Sequence, residues 1–526
     1  MNSGCEVRPW RRRPEARLST ARRATPLALF AMTLGLVGVD ADLDELRRRA
    51  EAGDPGAQYG LGSLYVIGRG VRKDPGAALR WFRKAAEQGH PESQLNVGVL
   101  LDRGQGVVED DVAALKWFRA AAAQGNRQAQ FQLGVAYSEG QGAERDPYEA
   151  VKWYREAAEQ GFAAAQYNLA VVVARGEGTV EDLDASVGWL RKAAEQGFEP
   201  AQDRLGVAYA NGSGVPRDEG AAARWFRKAA EQGYPPAQYH LAGVYTRGAG
   251  LDVNPEEALK WIRESAGQGY PPAQYQLGMV HLVGGAVDRN HSEAARWFRK
   301  AAEQGESTAE FQLGLAYSGG AGVPKNSVEA MTWILRAAEH ELAEAEVEAG
   351  IRYATGEGVE KDESKAVGWF RKAAARDHRR AQFNLGLMVE EGRGIRPNRA
   401  TAARWYRKSA DQGHPGAQLK LAMLYNQGLV FSKDPAEAAR WGRKAAEQGL
   451  AVAQHYLAVL YSQGLGVSKD PVQVHKWLSL AALGGVADAK GALEKLEATL
   501  SAEQLAEGKR LAAEWRQSRP EAAMSQ

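Results

Sequence analysis

Twelve tryptophans recur at a fixed spacing of 36 residues, from Trp81 to Trp477, and this spacing limits the fold more than any other feature of the chain. The twelve units cover 12 × 36 = 432 of the 526 residues, and no unit carries an insertion or deletion that shifts its tryptophan. A fixed period of about 20–50 residues is the signature of a repeat architecture. We therefore expect one array of repeats rather than the three or four globular domains that the length alone suggests.

Each unit contains two stretches with helical periodicity. In the first unit, Leu61 and Tyr65 share the apolar face of a helix over about residues 55–67, which ends at Gly68, a position that is glycine in all twelve units. The second helix begins at Asp74, a position that is Asp or Asn in every unit and suits a helix N-cap. Because neither short helix can bury its apolar face alone, we predict an all-α fold in which helix pairs stack into a solenoid.

Small residues at two positions of the unit predict close packing of the helices. The Gly62 position is glycine or alanine in every unit, and the Ala86 position is alanine throughout. Such residues let two helix backbones approach closely, and we expect the Trp81-type indole to fill the remaining space. The Arg83-type arginine recurs in ten units and is expected to pair with acids of the same or the next unit.

The first 41 residues differ from the array in composition. Seven arginines precede or flank an apolar run of 14 residues from Pro26 to Val39, which is too short to span a bilayer. This order favours a secretory signal cleaved after Ala41, with a disordered basic tail as the alternative. The rest of the chain is expected to comprise a capping half-repeat at 42–53, twelve repeats at 54–485, and capping helices with a tail at 486–526.

Charge and cysteine content exclude several classes of function. The net charge of +2 is divided unevenly, because residues 1–41 hold seven arginines and three acids, a net of +4, which leaves −2 for the rest. An array so close to neutral argues against a nucleic-acid partner or an anionic membrane surface. The single cysteine, Cys5, precedes the array, so neither a disulfide nor a thiolate–metal site is expected within the repeats.

The unit resembles the Sel1-like repeat, a longer relative of the tetratricopeptide repeat. The resemblance is carried by Ala57-Gln58, Leu61-Gly62, Tyr65, Gly68-x-Gly70-Val71, Asp74, Ala78, Trp81-Phe82 and Lys84-Ala85-Ala86-Glu87-Gln88-Gly89, and it recurs over about residues 57–485. It implies a right-handed superhelix (α-solenoid) of antiparallel helix pairs that acts as an adaptor or scaffold for protein complexes. Bacterial members with signal peptides work in the envelope or outside the cell. A cysteine-rich branch linked to β-lactam hydrolysis is not matched, since these repeats contain no cysteine.

No pattern typical of catalysis or cofactor binding is present. The chain lacks a GxxxxGK[ST] phosphate loop, an HExxH motif and a GxSxG elbow. The Gly-x-Gly pairs lie between helices and are interpreted as turn glycines rather than as a nucleotide site. His240 and His281 fall on different faces of neighbouring units and are interpreted as packed histidines rather than as a metal pair. We therefore predict no catalytic, cofactor-binding or metal-binding residue.

Polar side chains on the first helices are the candidate partner-binding residues. By likeness to tetratricopeptide arrays, the first helices line the concave surface, where carboxamide and guanidinium groups at repeat spacing can hold the backbone of an extended peptide. The candidates are Asn96, Arg103, Gln132, Asn168, Arg175, Arg204, Asn211, His240, Arg247, Gln276, Gln312 and Asn384. The alternative interpretation is an ordinary solvated polar face.

Units eight and nine depart from the pattern over residues 339–380. Glu341 and Asp377 replace the glycine that ends the second helix in the other ten units. Glu344 and Arg380 occupy equivalent positions in adjacent units, so ion pairs between these units are expected. The alternative is a charged docking site or a local bend, because two helix stops are lost in succession.

These patterns favour a non-enzymatic scaffold that binds a protein or peptide and is exported to the periplasm or secreted. Two alternatives stay open: an envelope hydrolase of the β-lactamase or peptidoglycan type, and a cytoplasmic regulatory adaptor whose translation starts downstream of Met1. No cofactor, nucleic acid or stable membrane span is expected. The sequence does not specify the partner or the oligomeric state.

Overall fold

A computed structural model describes residues 43–519 of the chain. This part contains 27 α-helices and no β-strand, and consecutive helices pair at the period of the tryptophans, so the predicted all-α solenoid of repeats is confirmed. The predicted signal peptide at 1–41, with Cys5, lies outside the described residues. The chain divides into two compact units, the first ending at Ala273 and the second beginning at Gln274.

The first unit consists of one N-terminal helix and six helix pairs, which form repeats one to six. Its helices are α1 (Leu43–Glu51), α2 (Pro55–Ile67), α3 (Pro75–Glu87), α4 (Pro91–Asp102), α5 (Asp111–Ala123), α6 (Arg127–Glu139), α7 (Pro147–Glu159), α8 (Ala163–Arg175), α9 (Leu183–Glu195), α10 (Glu199–Asn211), α11 (Glu219–Glu231), α12 (Pro235–Arg247) and α13 (Pro255–Gly267). The even-numbered helices are the first helices of their repeats. Each packs against the second helix of its own repeat and against the helix that precedes it in the chain.

The second unit continues the same alternation through repeats seven to twelve and a C-terminal helix pair. Its helices are α14 (Pro271–Val283), within which the division falls, α15 (His291–Ala302), α16 (Ser307–Gly319), α17 (Ser327–Glu339), α18 (Ala343–Thr355), α19 (Glu363–Ala375), α20 (Arg379–Glu391), α21 (Arg399–Asp411), α22 (Pro415–Gln427), α23 (Pro435–Glu447), α24 (Ala451–Gln463), α25 (Pro471–Leu483), α26 (Ala487–Glu497) and α27 (Ala502–Ser518). A capping box of Ser501 and Gln504 forms at the start of α27.

The ends of the helices are set by local backbone chemistry, as predicted. In all twelve repeats the Asp74-type side chain accepts a backbone hydrogen bond from the first turn of the second helix. Asp74 Oδ1, for example, lies 2.9 Å from the Ala77 nitrogen. The Gly68-type glycine has φ between 59° and 83° in every repeat, a range that glycine adopts without steric cost. These two positions therefore fix the helix ends on either side of the loop within each repeat.

The residue after the tryptophan, not the tryptophan itself, fills the space beside the small residue. Phe82 is fully buried, and a Cβ added to Gly62 would lie 2.7 Å from its ring. The Phe82-type side chain is buried in eleven repeats, and the remaining repeat has Gly442 at this position. The prediction that the Trp81-type indole fills this space is wrong, because the indole lies about 100° further around the helix.

The tryptophans lie instead at the contact between repeats. Ten are half-buried, and only Trp441 and Trp477 are buried. Trp225 packs against a core cluster that includes Leu190 of the preceding repeat. In six repeats the lysine three residues after the tryptophan places its Nζ 3.9–4.4 Å from the ring centroid. The indole therefore packs against the preceding repeat and, in these six repeats, also forms a cation–π contact with a lysine of its own helix.

A pair of glutamines links the two helices of each repeat in the first unit. Gln88 Nε2 donates to Gln58 Oε1 at 2.9 Å, and the equivalent pair occurs in all six repeats of the first unit at 2.7–2.9 Å. The Gln58-type side chain is buried throughout this unit. Because a buried carboxamide without a partner is costly, the pair fixes how the start of the first helix meets the end of the second.

The Arg83-type arginines bind tyrosines of the following repeat. Arg191 Nη2 donates to Tyr209 OH at 3.1 Å. The same bond forms in all six places where the arginine and the tyrosine both occur. Among the described Arg83-type residues only Arg407 also pairs with an acid, Asp411. The predicted contact between neighbouring repeats is therefore present. The prediction that the partners of these arginines are acids is wrong, because the guanidinium group donates to a tyrosine hydroxyl instead.

Glu341 and Asp377 retain the helix stops that the sequence predicted to be lost. Both adopt positive φ, 65° and 58°, and α17 and α19 end at the same point of the repeat as their counterparts. The positive φ costs about 1–2 kcal/mol at each of these two residues, because both carry a Cβ. The expected pair of Glu344 with Arg380 is not among the ion pairs of residues 43–519. Arg376 instead binds Glu346 at 2.6 Å and Glu341 at 3.2 Å.

Candidate functional site

The first unit contains a cavity of about 360 Å³ between three consecutive helices. Asn211 contributes to its wall from the end of α10, Phe226 from α11, and His240 and Arg247 from α12. The cavity therefore belongs to repeats five and six. It combines an apolar wall with several groups that can form hydrogen bonds.

The cavity exists because α12 lacks one side chain. Gly243 lines it, whereas the equivalent position carries an apolar side chain in ten of the twelve repeats. In the preceding repeat this residue is Val207, which packs into a core cluster with Ala222 and Phe226. The three nearest neighbours of a Cβ added to Gly243 would all be guanidinium atoms of Arg247, the closest being Nη1 at 3.3 Å. One missing side chain thus opens the space, and Arg247 lies over it.

An aspartate and a histidine from adjacent repeats meet beside this cavity. Asp203, on α10, is 8% exposed and occupies a position where no other repeat has an acidic residue. Its Oδ1 lies 2.7 Å from His240 Nδ1. An ionised carboxylate only accepts hydrogen bonds, so the imidazole Nδ1 donates. The His240 ring also packs against Phe226, with 5.0 Å between the centroids. These contacts satisfy the buried carboxylate and fix the orientation of the imidazole.

The polar groups around the cavity are mainly donors. Two arginines, Arg217 and Arg247, line it against one glutamate, Glu219, and Arg217 forms an ion pair with Glu219. Asn211 Nδ2 is buried and has no hydrogen-bond partner among residues 43–519. Asp203, which is hydrogen-bonded to His240, adds a second carboxylate beside the lining, so arginines and acids around the cavity are equal in number.

The repeats of this chain match one family along most of its length. The sequence profile described as the Sel1 repeat matches residues 55–90, 91–126, 127–162, 163–198, 200–234, 235–270, 271–306, 307–341, 343–378, 379–414, 415–450 and 451–486. The chain belongs to the Sel1 repeat family. Proteins of this family are generally protein-interaction scaffolds, and their fold is typically non-catalytic.

One solved structure agrees with this assignment. The Sel1 repeat chain is similar to c5321, a protective antigen present in uropathogenic Escherichia coli strains that displays an SLR fold, with 35% identity over 92% of this chain and 97% of that chain and a TM-score of 0.62. It is also similar to a Sel1 repeat protein from Oxalobacter formigenes, with 34% identity over 61% of this chain and 93% of that chain and a TM-score of 0.48. No curated protein sequence matches the chain.

Three of the twelve predicted partner-binding residues of this Sel1 repeat protein, Asn211, His240 and Arg247, meet at the cavity. Asn96 and Asn168 are only 6% and 1% exposed, so their carboxamides lie between helices and do not face solvent as expected. Arg175 is exposed and pairs with Glu177 at 3.5 Å. The other six are half-buried and lie away from the cavity: Arg103, Gln132 and Arg204 in the first unit, and Gln276, Gln312 and Asn384 in the second.

Sequence reasoning missed two residues that shape this site of the Sel1 repeat protein, Asp203 and Gly243. Both interrupt the pattern at positions that are otherwise apolar in most repeats. The signal in the sequence is that these two departures fall in adjacent repeats, five and six.

The C-terminal part of the Sel1 repeat protein brings together a serine, a histidine and a glutamate, which the sequence did not indicate. Ser479 Oγ lies 3.4 Å from His475 Nδ1, and His475 Nε2 lies 2.9 Å from Glu497 Oε1. The order resembles the nucleophile, base and orienting acid of a hydrolase. Ser479 lies inside α25, however, where the backbone N–H groups are bonded along the helix and cannot stabilise an oxyanion. His475 is also buried, so we interpret the three residues as a link between the last repeat and the cap.

Neither metal binding nor membrane insertion is indicated for the described part of the Sel1 repeat protein. Within residues 43–519, no group of three or more His, Cys, Asp or Glu side chains is arranged to hold a metal ion. In the same range, no helix combines the length and the apolar character needed to cross a bilayer.

Proposed function

We propose that this Sel1 repeat protein is a non-enzymatic scaffold that binds an extended segment of a partner protein on its first helices, with the cavity in repeats five and six as the anchor. The observation that carries the proposal is the cavity, because it is formed by the first helices α10 and α12 together with α11. Its lining offers Asn211, His240 and Arg247 to a bound segment.

Neighbouring first helices support binding of an extended segment. Gln132 on α6 and Arg204 on α10 are half-buried, and Arg175 on α8 is exposed. Carboxamides can both donate to and accept from a peptide backbone, and guanidinium groups can donate to its carbonyls. A segment that follows successive first helices would therefore meet one such side chain in each repeat.

Site-specific photo-crosslinking in the native host tests this proposal. A photoreactive phenylalanine analogue replaces Arg175 on the first helix α8 or, as the matched control, the exposed Arg224 on the second helix α11. A partner that crosslinks from position 175 but not from position 224 supports the proposal. Replacing Arg204, Asn211 and Arg247 together by alanine should reduce that crosslink about tenfold without changing helicity, since bonds to charged groups contribute about 1.5–3 kcal/mol each. Equal crosslinking from both positions would overturn the proposal.

We also propose that the protein is exported to the periplasm or secreted after loss of the leader at 1–41. The mature chain would then hold its repeats at 54–485 between caps at 42–53 and 486–526. The basic segment and the short apolar run of the leader support this reading. N-terminal sequencing of the protein from each cell fraction tests it. A periplasmic or secreted chain that begins at residue 42 supports export, and a chain confined to the cytoplasm supports the alternative of a cytoplasmic adaptor.

A further inference from the structure

We infer that the cavity in repeats five and six receives a neutral aromatic side chain that carries one hydrogen-bond donor, a tyrosine or a tryptophan of the bound segment. This inference rests on the proposed scaffold function and specifies the residue that the partner must present. It is drawn from the pair of Asp203 and His240, from the balance of charges around the cavity, and from the side chain that is missing at Gly243.

The histidine of the lining offers a hydrogen-bond acceptor. His240 Nδ1 donates to Asp203 Oδ1 over 2.7 Å, so in the neutral imidazole the lone pair is on Nε2. His240 lines the cavity and Asp203 does not, so Nδ1 is engaged beside the cavity rather than in it. Nε2 lies on the other edge of the ring and has no hydrogen-bond partner among residues 43–519. The His240 side chain is 20% exposed, so an N–H or O–H group of a ligand can reach it.

The charges around the cavity argue against an ionised ligand group. Arg217 forms an ion pair with Glu219, and Asp203 accepts from His240. Arginines and acids around the cavity are equal in number, so neither an anion nor a cation meets a net opposite charge. An ionised group would lose part of its hydration without compensation, whereas a neutral side chain would not.

The lining and the volume of the cavity suit an aromatic ring. Ala210, Tyr239 and Ala249 are half-buried and present accessible apolar atoms to a ligand. The buried side chains of Phe226 and Val244 complete the apolar part of the lining. A volume of about 360 Å³ lies at the lower end of the range found for ligand pockets, so one large side chain fits better than a larger molecule.

The side chain that is missing at Gly243 leaves the place for this ring. Ten of the twelve repeats carry an apolar side chain at the equivalent position, so the array ordinarily fills this space with its own hydrocarbon. Guanidinium atoms of Arg247 lie 3.3–3.8 Å from the position of a Cβ added to Gly243. A guanidinium group can stack on an aromatic ring through its face while its N–H groups keep their partners in the plane. The ring can therefore replace the missing side chain without requiring Arg247 to give up a hydrogen bond.

Affinity selection from synthetic random peptides tests the inference with the full-length chain. We expect the retained peptides to share a tyrosine or a tryptophan at a fixed position. Replacing that tyrosine by phenylalanine, or that tryptophan by its benzothienyl analogue, removes only the donor and should weaken binding about 3- to 10-fold. Gly243→Val should weaken binding of the retained peptides about 10- to 100-fold, because the valine occupies the place of the ring.

A double variant tests whether His240 is the acceptor. His240→Phe combined with Asp203→Asn removes the acceptor together with the buried carboxylate that would otherwise lose its partner. The retained peptide and its counterpart without the donor should bind this variant equally well. If the retained peptide keeps its advantage there, His240 is not the acceptor and the inference is overturned.

A matched variant separates loss of the cavity from misfolding. Gly188→Val makes the same change as Gly243→Val inside α9, where an added Cβ meets no atom within 4 Å, and should bind the peptides as the unaltered chain does. All variants should give the same far-UV circular dichroism. Retained peptides that share no tyrosine or tryptophan, or that bind Gly243→Val undiminished, overturn the aromatic site but not the scaffold. If no peptide is retained by any form of the chain, the scaffold proposal fails as well.

Discussion

Replacing Gly178 by alanine should destabilise the junction between repeats three and four. Gly178 lies in the loop between α8 and α9 with φ of 70°, beside the first turn of α7 in the preceding repeat. An added Cβ would overlap the carbonyl group of Pro147 and lie 2.8 Å from the Tyr148 nitrogen, whereas ordinary contacts of this kind begin at 3.4 Å. Because these contacts are with backbone atoms, the loop must move away from α7.

The expected loss of stability is the sum of two effects. A Cβ in the left-handed region costs about 1–2 kcal/mol, and overpacking adds about 1–3 kcal/mol. The free energy of local opening should therefore fall by about 2–5 kcal/mol. Gly188→Ala is the matched control, since Gly188 is exposed inside α9 with no atom within 4 Å of an added Cβ. Alanine should stabilise that helix by about 0.5–1 kcal/mol.

Hydrogen exchange followed by mass spectrometry is the suitable assay, because a solenoid need not unfold as one unit. Peptides that cover the first turn of α7 and the loop at 176–182 should exchange about 30-fold faster or more in Gly178→Ala, which corresponds to at least about 2 kcal/mol. Gly188→Ala should exchange no faster than the unaltered chain. Equal exchange in the two variants would refute the idea that the contact between loop and helix fixes the junction. Ala286 and Val430 occupy the equivalent position in two other repeats, and neither has positive φ, so those loops already differ.

Four further outcomes are expected. Glu341→Gly should stabilise repeat eight by about 1 kcal/mol by relieving the strain at φ 65°, and a lower midpoint in urea would contradict this. Burial lowers the pKa of His414 to about 4, so as the pH falls from about 6.5 to 4 only the unfolded state gains a proton and stability is lost. His414→Asn keeps a side-chain cap for α22 and should abolish this loss, measured as the difference in midpoint between pH 7 and pH 5. Tyr209→Phe removes the bond from Arg191 and should cost no more than about 1 kcal/mol in the same titration. Neither nitrocefin turnover nor fluorophosphonate labelling is expected, and labelling that disappears in Ser479→Ala would favour the hydrolase alternative.

The helix boundaries could be predicted from the sequence because they depend on local chemistry. Asp74-type caps and Gly68-type stops act within a few residues of the chain, and both are found as expected. Tertiary partners were harder to predict. Trp81 and Phe82 are adjacent and both large, and the repeat pattern does not say which of them faces Gly62. The bond from Arg191 to Tyr209 joins two repeats, and a constant period fixes spacing along the chain but not the rotation between neighbouring repeats.

The candidate site could be predicted only in part for a related reason. His240, Asn211 and Arg247 are polar residues on first helices, and this made them candidates from the sequence. The space between them depends on Gly243, which contributes no functional group and is noticed only by comparison with the valines and other apolar residues at its equivalents. The cavity arises from a missing side chain at Gly243, and neither composition nor motif searches detect a missing side chain.

Departures from the repeat pattern in units eight and nine are compensated within the protein. The buried glutamine pair is replaced there by Glu310 with His340 at 2.8 Å and by Glu346 with Arg376 at 2.6 Å. Each change at the Gln58-type position is matched by a complementary change at the Gln88-type position, so the contact between the two helices is kept. The substituted side chains therefore pair with each other inside their own repeats. This pairing argues against a charged docking site at 339–380.

The departures in repeats five and six are compensated only in part. Asp203 is matched by His240, but no larger residue fills the space that Gly243 leaves. The space is open at the surface, where Arg247 is exposed and Gly243 is half-buried, so it is a surface pocket and not a void in the interior. A valine would fill this space without a backbone clash, since an added Cβ would touch only the movable guanidinium of Arg247. Because the polar groups of the pocket remain beside an opening, whereas the substituted charges in units eight and nine pair with each other, we propose the anchor for a partner in repeats five and six.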